Sequence, residues 1–248
     1  MIHHIALNKI IFLDIETVPL VYRYEELSER EKYLWNGKTQ WIQKREEITP
    51  EESYTKAGIY AEFAKVICVS CGFFYDREGQ TKFRVKSFAG HNESEVLNGL
   101  IGLLNRLSKN EDYLLCAHNG KEFDFPFLSR RILINELQLP YALDIAGKKP
   151  WEVKHLDTME LWKFGDYKHY TSVDLLSHVL GIPSPKNDIT GADVSRVYYE
   201  EKNLEKIVHY CEGDVVTIAR LLQKFKGFQF IKDEDIVRVK EKESSFSA

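Results

Sequence analysis

No apolar run in this 248-residue chain approaches the roughly 20 residues needed to cross a bilayer, so no membrane helix is expected. The start, MIHHIALNKIIFLDIET, has no basic leader, and its apolar stretch runs into an acid, which excludes a secretory signal. The expected address is therefore the cytoplasm. Cysteine is sparse. Cys68 and Cys71 form a C-x-x-C inside a strand-like run, where residues three apart point to opposite faces. With no second Cys/His pair at zinc-like spacing, Cys68, Cys71, Cys116 and Cys211 are expected to be buried free thiols. An excess of positive charge is missing as well: 34 Lys and Arg face 38 Asp and Glu, for a net charge of −4, so no whole-molecule field draws in a polyanion. Basic residues are local, at Lys121, Arg130, Arg131, Lys148, Lys149 and Lys154, and a solvated surface explains each equally well. Repeats and low-complexity linkers are absent. What remains is ordinary globular composition, 44% apolar and 29% charged, in a chain long enough to bury a substantial core.

Hydrophobic periodicity gives the layout. The run from Ile10 to Ile15 is short, β-branched and bounded by polar residues, as in a buried strand. A polar stretch from Val21 to Tyr60, helical in places, reads as an insertion. Lys65–Tyr75 and Thr81–Phe88 flank the turn signal Asp76-Arg77-Glu78-Gly79 and predict a hairpin. A helix opens at Asn92 and carries Val96, Leu97, Leu100, Ile101, Leu104 and Leu107. A strand at Tyr113–Ala117, a helix at Phe125–Leu137, a helix at Ser172–Leu180 and a long helix capped by Asn203 follow. A hairpin followed by strand–helix alternation predicts a mixed α/β sheet flanked by helices, with a charged, poorly ordered tail from Lys232.

Four carboxylates stand where a fold tolerates charge least. Asp14 and Glu16 follow Ile10-Ile11-Phe12-Leu13, and their spacing of two puts both on one face of the strand, with Ile15 on the other. Asp124 lies in HNGKEFDFP, where Asn119-Gly120 makes a turn and Asp124 enters the first turn of the next helix. Asp214 sits mid-helix on the apolar side, in register with Cys211, Val215 and Ile218. Buried carboxylates without cationic partners are costly, and two like charges about 4 Å apart repel by roughly 4 kcal/mol at an effective dielectric near 20. A cluster of four implies divalent cations. Tyr210 lies one turn before Asp214 and shares its face.

DIET, HNGxxFDxP and YxxxD, in this order, resemble the three motifs of the DEDD superfamily of 3′–5′ exonucleases, which have a ribonuclease-H-like fold. The context is similar to the proofreading exonuclease domain of family B DNA polymerases and to free-standing bacterial proteins like it. The resemblance spans roughly Lys9 to Gln223 and places an exonuclease domain at 1–231, with an insertion at about 21–60 and a charged tail at 232–248. It implies a two-metal phosphodiesterase of the Tyr-bearing (DEDDy) branch, with two Mg²⁺ or Mn²⁺ ions roughly 3.5–4 Å apart. Asp14, Glu16 and Asp214 would hold one ion, Asp14 would bridge to the second, and Asp124 would assist through water. Tyr210 would orient the attacking water, and nucleoside 5′-monophosphates would leave the 3′ end.

Superfamily members use either a Tyr four residues before the last Asp or a His five before it, and both Tyr210 and His209 are present. They point about 100° apart on a helix, and Tyr210 has the register of Asp214. For substrate, Asn119, Phe123 and Lys186 are candidate contacts, with Phe125, Tyr167 and Tyr170 available for stacking bases. Asp157 is either a further acid of the site or a cap of the helix after it. Single-stranded DNA ends are the expected substrate, with RNA ends, a silent nucleic-acid-binding module and a structural Ca²⁺ site as the alternatives.

Overall fold

The computed structural model describes residues 2–108, 113–166, 170–183 and 189–239. The chain runs through β1 (Ile10–Pro19), helices α1 (Glu29–Glu46) and α2 (Pro50–Tyr54), the hairpin β2 (Ala64–Arg77) and β3 (Gln80–Ala89), and α3 (Glu93–Ser108). β4 (Leu114–Ala117), α4 (Asp124–Ile134), β5 (Leu156–Asp157), α5 (Thr158–Lys163) and α6 (Val173–Val179) follow. After these come α7 (Val194–Arg196), α8 (Leu204–Phe225) and β6 (Ile236–Val239). Among the described residues the strands form one mixed sheet in the order β5-β4-β1-β2-β3-β6, with β2 antiparallel to both neighbours and the other pairings parallel. The expected mixed α/β sheet with flanking helices is what forms.

Alternation along β1 builds both sides of the core. Ile11, Leu13 and Ile15 join Leu97, Leu100, Phe125 and Leu128 under α3 and α4. Ile10 and Phe12 join Val215, Ile218 and Leu222 under α8. Each such side chain contributes roughly 1.5–3 kcal/mol on burial. Cys68 and Cys71 fall on opposite sides of the sheet, and all four thiols are buried and free, as their spacing predicts. In the β2–β3 turn, Glu78 and Gly79 have φ of 55° and 78°. That left-handed pair belongs to the type I′ turn, whose twist suits a hairpin.

Segment 21–60 folds around a small cluster of its own. Ser28 and Glu31 form a capping box at the start of α1, and Thr49 and Glu52 form another at α2. Trp35 is fully buried, edge-on to Tyr54, Tyr60 and Phe63, and its indole N–H donates to Pro50 O at 3.0 Å. The segment is fastened to the sheet where Thr17 Oγ1 donates to Gly58 O at 2.7 Å and Leu20 N–H to Phe63 O at 2.8 Å.

Two details differ from the sequence expectation. Arg131 is not solvated: it is buried against Glu93 with Nε to Oε1 at 2.8 Å, and its NH1 donates to Ala61 O at 2.8 Å. Glu93 also accepts from Val66 N–H at 2.7 Å, so one ion pair joins α3, α4, β2 and Ala61, the residue after segment 21–60. The chain beyond Lys232 is also not simply a tail, because Ile236–Val239 pairs with Phe83–Lys86 as an edge strand. Residues 240–248 lie outside the described residues.

Candidate active site

Strand lengths create the site. Parallel pairing of β1 with β4 stops at Phe12–Cys116, so Asp14 and Glu16 run on past the end of β4. The loop after β4 and the first turn of α4 fill that space. Asn119 takes a left-handed φ of 62°, which Asn tolerates better than most residues. At Gly120 a Cβ would lie 2.4 Å from the Ala117 side chain, so the turn requires glycine. Asp124 then begins α4, where the helix dipole favours an acid.

Asp14 and Glu16 meet in one cluster, and Asp214 and Asp124 are near enough to repel them. Burial, then the charges of Asp214, Glu16 and Asp124, push the Asp14 carboxyl well above its usual range. Burial, then Asp214, does the same to Glu16. Asp124 is 3% exposed and pushed up to about 7, first by burial and then by Asp157 and Asp214, against the lowering effect of Ile15 N–H. Asp214 is pushed up to about 6 by burial, although a hydrogen bond from Tyr210 opposes the shift. Ligand atoms of Asp14, Glu16 and Cys211 lie within 4.8 Å of one another. Asp14 Oδ2 is buried and has no hydrogen-bond partner.

These observations fit a divalent cation. An orphaned carboxylate oxygen among mutually repelling acids is the kind of group that cations neutralise, and oxygen donors suit Mg²⁺ or Mn²⁺. The Cys211 thiol is otherwise engaged: it donates to Asp14 O at 3.4 Å, and burial raises its pKa far above the usual thiol range.

The remaining candidates separate clearly. Tyr210 is half-buried and hydrogen-bonded to Asp214, and burial followed by that acid raises its hydroxyl pKa strongly, so it stays a proton donor. His209 is exposed, 4.0 Å from Glu205 on the outer face of α8. Asn119 Oδ1 is buried without a partner at the end of β4. Phe123 is half-buried against Phe127, with ring centroids 5.3 Å apart. Phe125 is fully buried in the core and is not available for stacking. Tyr170 is mostly exposed, with its ring 6.3 Å from that of His118, and the covering of its remaining part followed by the charges of Asp124, Asp214, Asp14 and Asp157 raises its pKa. Lys186 and Tyr167 lie outside the described residues.

Asp157 does the work of a cap. Its carboxylate accepts from Met159 and Glu160 N–H at 2.9 and 3.2 Å, and from Asn119 and Lys121 N–H at 3.0 and 3.1 Å. It thus fastens the start of α5 to the loop that carries Asn119. His118 bridges the same loop to Thr158 Oγ1 at 2.9 Å and Thr171 O at 2.8 Å, a role that sequence reasoning missed. Its only sequence signal is the position next to Asn119-Gly120.

A family described as predicted 3′–5′ exonucleases related to the exonuclease domain of PolB matches residues 59–234. No curated protein matches. Among solved structures, the fold is similar to the family B DNA polymerase from the hyperthermophilic archaeon Pyrobaculum calidifontis, at 14% identity and a TM-score of 0.50. That similarity covers 87% of this chain and 24% of the polymerase chain. The ribonuclease-H-like expectation therefore holds for the fold.

Proposed function

Because the chain belongs to the family of predicted 3′–5′ exonucleases related to the exonuclease domain of PolB, we propose that it removes nucleotides from the 3′ ends of single-stranded DNA, using two bound divalent cations. The observation that carries this reading is the orphaned Asp14 Oδ2 at the centre of the acidic cluster, with the Tyr210 hydroxyl on Asp214 beside it. The fold similarity to a DNA polymerase favours DNA over RNA.

Asp14 and Glu16, with Asp214 close enough to repel both, would hold the Mg²⁺ or Mn²⁺ ions, and Asp124 would assist through water. When bound, such cations polarise a phosphoryl oxygen and lower the pKa of water. The protein's own groups prepare the rest. Tyr210 keeps its proton and donates a hydrogen bond to Asp214, which leaves the hydroxyl oxygen to accept from, and so orient, an attacking water. Asn119 offers an unpartnered acceptor, and Phe123 and Tyr170 offer ring surface for the terminal nucleotides. The products are nucleoside 5′-monophosphates.

The test is hydrolysis of 3′-labelled and 5′-labelled single-stranded DNA and RNA with Mn²⁺, beside Asp14→Ala. Stepwise shortening from the 3′ end, lost in the variant, is expected, with DNA cleaved faster. Failure to cleave either polymer with metal bound would overturn the proposal.

A further inference from the structure

Helix α1 buries Trp35, Thr39 and Ile42 and turns a different kind of face to solvent. At 100° per residue, Arg30, Tyr33, Leu34, Gly37, Trp41, Lys44 and Arg45 lie within about 60° of one line along the helix. All seven are exposed, Tyr33 at 69% and Trp41 at 55%. The three acids of the helix, Glu29, Glu31 and Glu46, lie roughly 100° or more from that line. In a protein of net charge −4, the outer stripe thus presents three cations, two aromatic rings and no acid. The cations sit on the rings: Arg30 lies 5.3 Å from the Tyr33 ring centroid and Arg45 lies 4.8 Å from that of Trp41. Arg45 also pairs with Glu46 at 2.8 Å, which leaves Arg30 and Lys44 as the stronger phosphate contacts.

The stripe is held in place by packing beneath it, and the segment that carries it is fastened to β1. Trp35 locks α1 from below, and Thr17, the residue after Glu16, is hydrogen-bonded to Gly58 in the same segment. Exposed aromatics interleaved with cations match a single polynucleotide strand, whose bases stack and whose phosphates need positive charge. A single apolar residue on a surface needs no explanation, whereas an acid-free stripe of this composition fits a polyanion with π faces.

We propose that the outer face of α1 is a binding platform for the single-stranded portion of the substrate, upstream of the 3′ end held at the acids. This deepens the exonuclease reading and rests on it for the identity of the strand. Tyr33 and Trp41 are about 12 Å apart along the helix, so they engage different nucleotides, and a mononucleotide substrate cannot use the platform.

Three variants of the full chain test this: Tyr33→Ala/Trp41→Ala, Arg30→Glu/Lys44→Glu, and Gly37→Glu. Nothing lies within 4 Å of a Cβ built at Gly37, and replacing a helix-interior glycine does not penalise the fold. Two readouts are needed. The first is metal-free anisotropy with a labelled DNA strand of about 20 nucleotides. The second is Mn²⁺-dependent hydrolysis of the p-nitrophenyl ester of thymidine 5′-monophosphate. Each variant is expected to weaken strand binding about tenfold or more, with ester hydrolysis unchanged. The Arg30/Lys44 reversal should also flatten the salt slope by roughly 1.4. A wild type that binds the strand but hydrolyses nothing, with binding lost in the variants, supports the platform and overturns the exonuclease reading. A wild type that hydrolyses both substrates, with variants that bind as it does, overturns the platform alone. A wild type that binds no strand also overturns it.

Discussion

At the scale of residues, about 100° of helix rotation separates Tyr210 from His209. Tyr210 faces Asp214 and His209 faces Glu205 and solvent. Tyr210→Phe removes a hydroxyl and leaves the ring, so it should lower kcat about a hundredfold with little change in melting temperature. His209→Ala should stay within about twofold. Single-turnover rates on a labelled strand check both, and a severe loss in His209→Ala alone would sink the assignment. The four acids were legible in sequence because each interrupts an apolar run. Phe125 was not, because alternation around Asp124 cannot distinguish a ring that stacks on substrate from one that closes the core. Arg131 and Glu93 were illegible for another reason: they are 38 residues apart, and neither has a local pattern that signals burial.

Among elements, the short β4 matters as much as the acids. Because it ends at the level of Phe12, the loop that follows can turn across the end of the sheet and bring Asp124 beside β1. Asp157 holds that loop to α5 through four backbone N–H groups. Asp157→Ala leaves them unpaired in a buried place, at a cost of about 3 kcal/mol. The melting temperature should fall by about 6–12 °C. Activity measured below melting should also fall, since Asn119 and Asp124 are then less firmly placed. Asp157→Asn keeps an acceptor and should lose less. Calorimetry of both variants checks this, and an unchanged melting temperature in Asp157→Ala would refute the clamp. The cap was half visible in sequence, as an acid before a helix. Its reach to Asn119 and Lys121 depends on β5 lying beside β4, which no local pattern states.

For the whole molecule, the acidic cluster sets how stability responds to pH and metal. Asp124 sits at about 7 and Asp214 at about 6, both raised from 3.8. Groups raised in this way bind protons more tightly when folded. The stability they contribute is present below about pH 4 and is lost as pH rises through 6 to 7. The metal-free protein should therefore melt progressively lower across that window. Mn²⁺ would bind the ionised acids, so it should stabilise more at pH 7 than at pH 5, and at a hundredfold excess over Kd the stabilisation should be about 2.7 kcal/mol. Asp14→Asn replaces a buried acid whose charge the fold disfavours by a neutral group of the same shape, so in chelator it should melt no lower than the wild type and gain less from Mn²⁺. Thermal melts at several pH values with and without Mn²⁺ measure all of this. A wild-type melting temperature indifferent to Mn²⁺ would count against the cation site.

By itself the sequence determined the alternation of β1, the hairpin, the helical registers and the acids with Tyr210 beside them, because each follows from spacing along one element. Only tertiary structure decided the rest. Lys226 donates to the carbonyls of Ile2 and Ile5, and β6 pairs with β3. Glu93 and Arg131 tie four segments together, and Asp14 Oδ2 is left without a partner. Those outcomes depend on which distant groups are brought together when the layers close, and burial then makes every unpaired charge count.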